Sequence, residues 1–288
     1  MLRGMLLIGL AAMSWGTTGS VTTVLVAQAG AEPLLIGAAR LGGGALLLAA
    51  AARAITGGVR IAARDTGRCV IAGLCMGGFQ AAYFTAVTLT GIAVTALVTI
   101  CSAPLMIAGL AAVLLGERPT PRVLAALGLG VAGTALLLAD PEAAAPARAF
   151  GAGAALALLA GLAYALYAVV TKTALARSAP LPLTAATFAV AAAVTLPGLA
   201  WTADPLGQLA RGWPWLLYLG AVTTAGAYAL YAAGLRAVPA SVAGVVTLLE
   251  PLTATLLGVL VFGERLGVTG GLGAALLAGA MGLLSRRP

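Results

Sequence analysis

Apolar residues along this chain gather into ten runs of roughly 20, with short polar punctuation between them. The runs cover about residues 5–27, 33–52, 69–89, 92–115, 121–139, 150–172, 181–202, 213–234, 239–262 and 266–284. At 1.5 Å of rise per residue, a helix of about 20 residues crosses a ~30 Å hydrocarbon core. Each run is therefore predicted to be a crossing helix. The longest connection, the basic loop 53–68, leaves no room for a soluble domain. The first run imitates a signal peptide, with Arg3 ahead of it and Ala27-Gln28-Ala29 behind it. It is too long for a signal core and carries Ser14, Trp15, Thr17, Thr18, Thr22 and Thr23, so it is read as the first helix.

One stretch occurs twice. Residues 91–118 (GIAVTALVTICSAPLMIAGLAAVLLGER) and 238–265 (VPASVAGVVTLLEPLTATLLGVLVFGER) align without a gap at an offset of 147 residues. Matches of Ala, Leu and Val mean little in so apolar an alphabet. A mid-helix proline (Pro104, Pro251) and a closing Gly-Glu-Arg thirteen residues later (Glu117, Glu264) mean more. A fixed internal period of this kind marks a duplication. The halves are set at residues 1–140 and 141–288.

Composition fixes the solvent. Only 8% of the 288 residues are charged and 61% are hydrophobic, against roughly 25% charged in a soluble domain. The net charge of +8 is read as loop bias in a membrane protein rather than as a nucleic-acid footprint. With the N-terminus inside, twelve Lys and Arg fall on the cytoplasmic side, while the outer side holds Arg148, Arg211 and Arg265. Both ends are thus expected in the cytoplasm of a cell whose inner (plasma) membrane holds the chain. Five helices per half is an odd number, so the second half runs upside down. The expected fold is all-α: a polytopic membrane protein with ten transmembrane helices as two inverted five-helix repeats, the architecture of secondary transporters. The absence of histidine excludes a His-based triad and His-ligated metal. The three cysteines lie in apolar runs without metal-ligand spacing. No cofactor is expected.

The ten runs, the two repeats, Arg40 in the second helix, and the proline-to-glutamate signature resemble the EamA-type branch of the drug/metabolite transporter superfamily. Glu250-Pro251 followed by Leu256-Leu257-Gly258 and Gly263-Glu264 is typical of it. The chain is most similar to the YddG-type exporters of aromatic and other neutral amino acids. That resemblance implies an exporter of small neutral metabolites, above all amino acids, working by alternating access and not an enzyme. An exporter of aromatic cationic drugs is the alternative. A membrane-embedded enzyme is the remoter rival, since the sequence offers one deep acid and no histidine. The expected partners are a small-molecule substrate and the lipid bilayer, without nucleic acid; a homodimer is left open.

Polar residues in lipid are costly and are read as functional by default. The candidate cavity residues are Gln80, Tyr83, Cys101, Tyr164, Tyr167, Tyr231 and Thr247. Against this stands the bland reading that Thr bonds its own helix and Tyr sits at the headgroups. Pro104 and Pro251 are expected to kink their helices and free the carbonyls of Ile100 and Thr247 as acceptors for a substrate. Glu117 and Glu264 either gate opposite faces or simply favour a following helix start, with Thr120 and Pro121 as cap and first turn. Arg40 and Glu250 lie at similar depth. They are expected to pair, unless Glu250 is a proton site or Arg40 meets a substrate carboxylate. Gly128 to Gly133 matches a dinucleotide fingerprint inside a helix, with no strand before it, and fails the context test. It and Gly267-xxx-Gly271 are read as close helix packing.

Overall fold

The computed structural model describes residues 1–138, 147–262 and 267–285, and every regular element among them is helical. Among the described residues, nine segments are long and apolar enough to cross a membrane. In chain order with a tenth, shorter helix they are α1 (Leu2–Ala29), α2 (Pro33–Thr56), α3 (Ala63–Gly91), α4 (Val94–Leu115), α5 (Pro121–Leu138), α6 (Phe150–Ala174), α7 (Pro180–Trp201), α8 (Pro205–Ala237), α9 (Ala240–Val261) and α10 (Val268–Ser285). Large apolar side chains such as Leu46, Val113, Leu260 and Val268 stand outward at 75–83% exposure. On a soluble protein such a surface would aggregate; in lipid it is the solvated face.

Proline at the first turn starts α2, α7 and α8, where its missing N–H has no intrahelical partner to lose. Asp204 caps α8 by accepting from Gly207 N at 3.1 Å. Thr120 Oγ1 accepts from Val123 N at 3.3 Å and caps α5, as its sequence context predicts. Gly91 separates α3 from α4 without a loop. Its φ of 82° is a conformation that side-chain-bearing residues avoid.

Three breaks are not foreshadowed in the apolar pattern. Helix α1 interrupts at Thr17, between Leu2–Gly16 and Thr18–Ala29. Helix α9 interrupts at Thr247 and Leu248, where Leu248 N bonds Val245 O at 3.1 Å and Glu250 N bonds Thr247 O at 3.0 Å. Helix α8 winds as a π-helix over Leu219–Gly226. It is also longer than its predicted run. Its first turns are amphipathic, burying Gln208, Gly212 and Leu216 while Leu206, Trp213 and Leu217 stand out. At 33 residues the segment is longer than a ~30 Å bilayer core requires.

The helices pack in pairs that repeat under the sequence offset of 147. Gly44 of α2 sits against Gly220 and Thr224 of α8. The corresponding Gly73 and Gly77 of α3 sit against Thr187, Val190, Ala191 and Val194 of α7. Helix α2 also packs on α7, and α5 on α10. In that last pair a β-carbon on Gly133 would stand 2.7 Å from the Gly273 carbonyl, and one on Gly273 2.6 Å from that of Gly133. Small residues here let two backbones touch. The close packing expected of Gly267-xxx-Gly271 is displaced: nothing approaches Gly271, and the tight contact falls on Gly273 instead.

Candidate functional site

The break in α1 is held by hydrogen bonds to α8. Thr17 Oγ1 donates to Ser14 O at 2.7 Å and accepts from the Tyr218 hydroxyl at 2.9 Å. Ser14 Oγ donates to the Val222 carbonyl, inside the π-helical stretch, at 3.3 Å. The same stretch presents Thr224, whose Oγ1 accepts from Arg40 Nε of α2 at 3.3 Å. A π-turn inserts one residue into the helix and reaims the side chains beyond it, a device frequent at functional sites. In α8 those side chains include Tyr228 and Tyr231.

Around these irregular turns lies a cluster of rings from five helices. Trp15 of α1 stands 4.8 Å from Tyr228, 5.5 Å from Tyr231 and 6.4 Å from Tyr164, centroid to centroid. Tyr164 reaches Phe79 at 5.7 Å and Tyr167 at 5.9 Å, while Phe188 of α7 packs on Tyr228 at 4.5 Å. Phe79 continues the chain of rings to Tyr83 at 5.8 Å. The offset and edge-on geometries are those aromatic rings prefer. Several polar atoms in and beside the cluster are buried without a partner: Trp15 Nε1, Thr18 Oγ1 and Gln80 Nε2. The hydroxyls of Tyr164 and Tyr231 face each other without closing a well-formed hydrogen bond. Buried polar groups are normally satisfied, so these atoms are able to bond water or a bound ligand.

Two opposite charges face this region. Arg40 and Glu250 lie within electrostatic reach of each other and of both Tyr83 and Tyr228, and Tyr164 also feels Glu250. The ion pair expected between Arg40 and Glu250 is not made: no oxygen of Glu250 comes within 4.0 Å of the guanidinium. Arg40 spends its Nε on Thr224, and Glu250 sits just past the break in α9. Both side chains remain half-buried.

The region is closed on one side. On the face carrying Met1, Ile8, Ala11, Tyr231, Leu235, Val238, Val242 and Val246 are all buried. Two polar clamps reinforce that closure. Glu117, at the end of α4, accepts at the start of α9 from Ala240 N (2.7 Å), Ser241 N (3.1 Å) and Ser241 Oγ (3.0 Å). Lys172, at the end of α6, donates to the last carbonyls of α8, Val238 O (2.6 Å), Leu235 O (2.7 Å) and Arg236 O (3.5 Å). A carboxylate at a helix start and an ammonium at a helix end each complement the backbone dipole. Towards the opposite face, Thr17, Thr18, Val21, Thr22, Arg40, Tyr83 and Phe84 are only half-buried.

The structure therefore brings together Gln80, Tyr83, Tyr164, Tyr167, Tyr231, Arg40 and Glu250 of the predicted site residues. It moves others away. Cys101 turns its Sγ to the Val131 carbonyl of α5 at 3.7 Å and so faces scaffold. Thr247 Oγ1 returns to Gly244 O at 2.8 Å, the local bond that competes with any cavity role. The Thr247 carbonyl expected to be freed by Pro251 accepts from Glu250 N, so it is not a free acceptor. Pro104 is buried against Gly244 of α9, which makes it a packing residue between α4 and α9. Glu117 favours a helix start as expected, but that of α9 rather than the nearby α5. Glu264 lies outside the described residues. Thr224 and Tyr228 belong with Tyr231 to the polar and aromatic stripe that the sequence displays along α8; Trp15, Phe79 and Lys172 are not assigned to the site or its clamps by sequence, and a tryptophan amid the hydroxyls of the first run is the available signal.

A cluster of rings and orphaned polar atoms drawn from α1, α3, α6, α7 and α8, packed shut towards one face, is an arrangement that suits a membrane carrier. Comparison with known proteins agrees. The EamA-like transporter family matches residues 2–139 and again residues 151–286, and the chain belongs to that family. It is similar to the uncharacterized transporter YwfM of Bacillus subtilis, 37% identical over 286 residues, covering 98% of this chain and 94% of that one. An uncharacterized transporter of Archaeoglobus fulgidus is 33% identical over 223 residues, covering 76% of this chain and 78% of that one. A crystal structure 22% identical in sequence superposes with a TM-score of 0.83 over 98% of this chain and 95% of its own, so the fold is shared.

Proposed function

We propose that this transporter carries small neutral metabolites, amino acids above all, out of the cell by alternating access. In this reading ten crossing segments form two inverted repeats, residues 1–140 and 141–288, in the cell (inner) membrane with both chain ends cytoplasmic. The repeated packing of α2 with α8 and of α3 with α7 supports the inverted pairing, because exchanging the halves exchanges the two contacts. The closed Met1 face and the half-buried opposite face then correspond to an outward-facing state.

The observation that carries the functional reading is the ring cluster itself: rings from both halves with unpartnered polar atoms beside them, flanked by one arginine and one glutamate. Rings supply surface for an apolar side chain and the polar atoms fix its orientation. No ATP-binding motif is present in the sequence, so a gradient of the cargo, or its exchange for protons, drives transport. The density of tyrosine and tryptophan also favours a second reading, export of aromatic cations, through attraction of the cation to the ring faces. Uptake by purified protein in liposomes, measured with labelled neutral amino acids and with cationic dyes, with and without a pH gradient, decides. Amino acid uptake above that of empty liposomes supports the first reading. Dye uptake without amino acid uptake replaces it by the second, and loss of uptake when the pH gradient is collapsed places proton exchange above facilitated diffusion.

A further inference from the structure

We infer that Arg40 and Glu250 are the two specificity-determining residues of the compartment, reading opposite ends of a zwitterion: Arg40 takes the carboxylate of the cargo and Glu250 its ammonium. This rests on the transport reading above and goes further, because it assigns one residue to each end of the cargo. Two unlike charges buried in a membrane lower their cost most simply by pairing. Arg40 is tied to Thr224, one turn before Tyr228, and the Glu250 backbone meets Gly16 beside Trp15, whose ring lies 4.8 Å from that of Tyr228; the two charges thus border the same cluster yet hold apart beyond ion-pair distance. Thr224 engages Arg40 through Nε alone, and the guanidinium fork has two further nitrogens suited to a bidentate carboxylate. Glu250 begins the helical run after the break at Thr247 and, when ionised, only accepts, which suits an ammonium with three donors. A ligand carrying one positive and one negative group fits between them without leaving either charge unmatched. Tyr83 and Tyr228 lie near both charges.

Buried side chains point to the same ligand. Gln80 and Trp15 are each only 6% exposed, with Nε2 and Nε1 unpartnered. Gln80 packs at Gly37, one helical turn before Arg40 on α2, so its amide joins the arginine end of the site. The Trp15, Tyr164, Tyr228 and Tyr231 rings supply the apolar wall for the side chain. An anion without an ammonium would leave Glu250 uncompensated, and an amine without a carboxylate would leave Arg40 so.

The test is a cycle between ligand and protein. Purified wild type, Arg40→Gln and Glu250→Gln are reconstituted, and each is assayed for inhibition of labelled phenylalanine uptake by phenylalanine, phenethylamine (no carboxylate) and 3-phenylpropionate (no ammonium). Losing one charge-assisted interaction in a buried site is worth about 10- to 100-fold in affinity. Wild type should prefer phenylalanine over both analogues by about that factor. Arg40→Gln should lose its preference for phenylalanine over phenethylamine while keeping that over 3-phenylpropionate; Glu250→Gln should do the reverse. If each variant weakens all three ligands equally, the two residues are structural and the clamp is wrong while amino acid transport stands. If wild type carries dyes but no zwitterion, the clamp falls and a transporter of another cargo remains. If wild type carries nothing offered, the proposed function falls with it. Fluorescence-detected gel filtration of each variant separates misfolding from altered selectivity.

Discussion

Removing the Glu117 carboxylate should open the Met1 face of the protein. Glu117→Ala takes away three hydrogen bonds that α4 makes to the start of α9, at 2.7, 3.1 and 3.0 Å. Two of these satisfy backbone N–H groups that otherwise have no helical partner. Loss of an N-cap costs about 0.5–2 kcal/mol, and the carboxylate's attraction to the helix start adds up to about 2 kcal/mol at a partly buried site. Because water replaces part of each, a net of about 2–3 kcal/mol is reasonable, or about 30- to 150-fold in the equilibrium between closed and open forms. The assay is maleimide labelling of Val242→Cys, a position 2% exposed just behind the clamp, in protein whose Cys69, Cys75 and Cys101 are replaced. Labelling from the Met1 side should rise at least tenfold in Glu117→Ala and less in Glu117→Gln, whose amide oxygen still accepts. Labelling unchanged in both variants would refute the idea that Glu117 holds this face shut.

Other substitutions probe other parts of the molecule. Lys172→Met leaves three carbonyls at the end of α8 without their donor and should raise labelling at the same Val242→Cys position by a comparable factor. Gly133→Val forces a side chain into the backbone of α10; overpacking costs about 1–3 kcal/mol, so the thermal midpoint in detergent should fall by several degrees, whereas Gly271→Ala, with open space around it, should leave it unchanged. Deleting Val222 from the π-stretch should return α8 to regular winding and turn Tyr228 and Tyr231 away from Trp15. Transport should be lost while gel filtration and the circular dichroism of the helices stay near those of the wild type.

The segments are legible because the crossing of a bilayer imposes a length and an alphabet that a sequence displays openly. Proline and glycine punctuate them reliably: Pro33, Pro180 and Gly91 stand where helices begin or break. Tyr164 and Tyr167, three apart on α6, are legible too, as is Tyr231, three from Tyr228 on α8, since that spacing puts each pair on one helix face. What the sequence hides depends on partners distant along the chain. The break at Thr17 is stabilised by Tyr218, and the π-turn around Val222 is tied to Ser14; no local propensity encodes either. Lys172 reads as one more loop cation until the carbonyls of α8 are in view. Cys101 and Thr247 sit on the right helices but turn towards α5 and their own backbone. Glycine spacing alone misplaces the close contact with α5, because which face of α10 meets it is a tertiary fact.

Carrier-mediated exchange is the most direct test of the central claim. Liposomes holding the purified protein are loaded with millimolar unlabelled phenylalanine, diluted into buffer with trace labelled phenylalanine, and followed over minutes. A carrier that alternates access produces a transient accumulation of label above equilibrium, and the same preparation in empty liposomes does not. The expected result is that overshoot, reduced and needing about 10- to 100-fold more phenylalanine when Arg40 is changed to glutamine. Label entering no faster than into protein-free liposomes, for phenylalanine and for every other neutral amino acid offered, would contradict it.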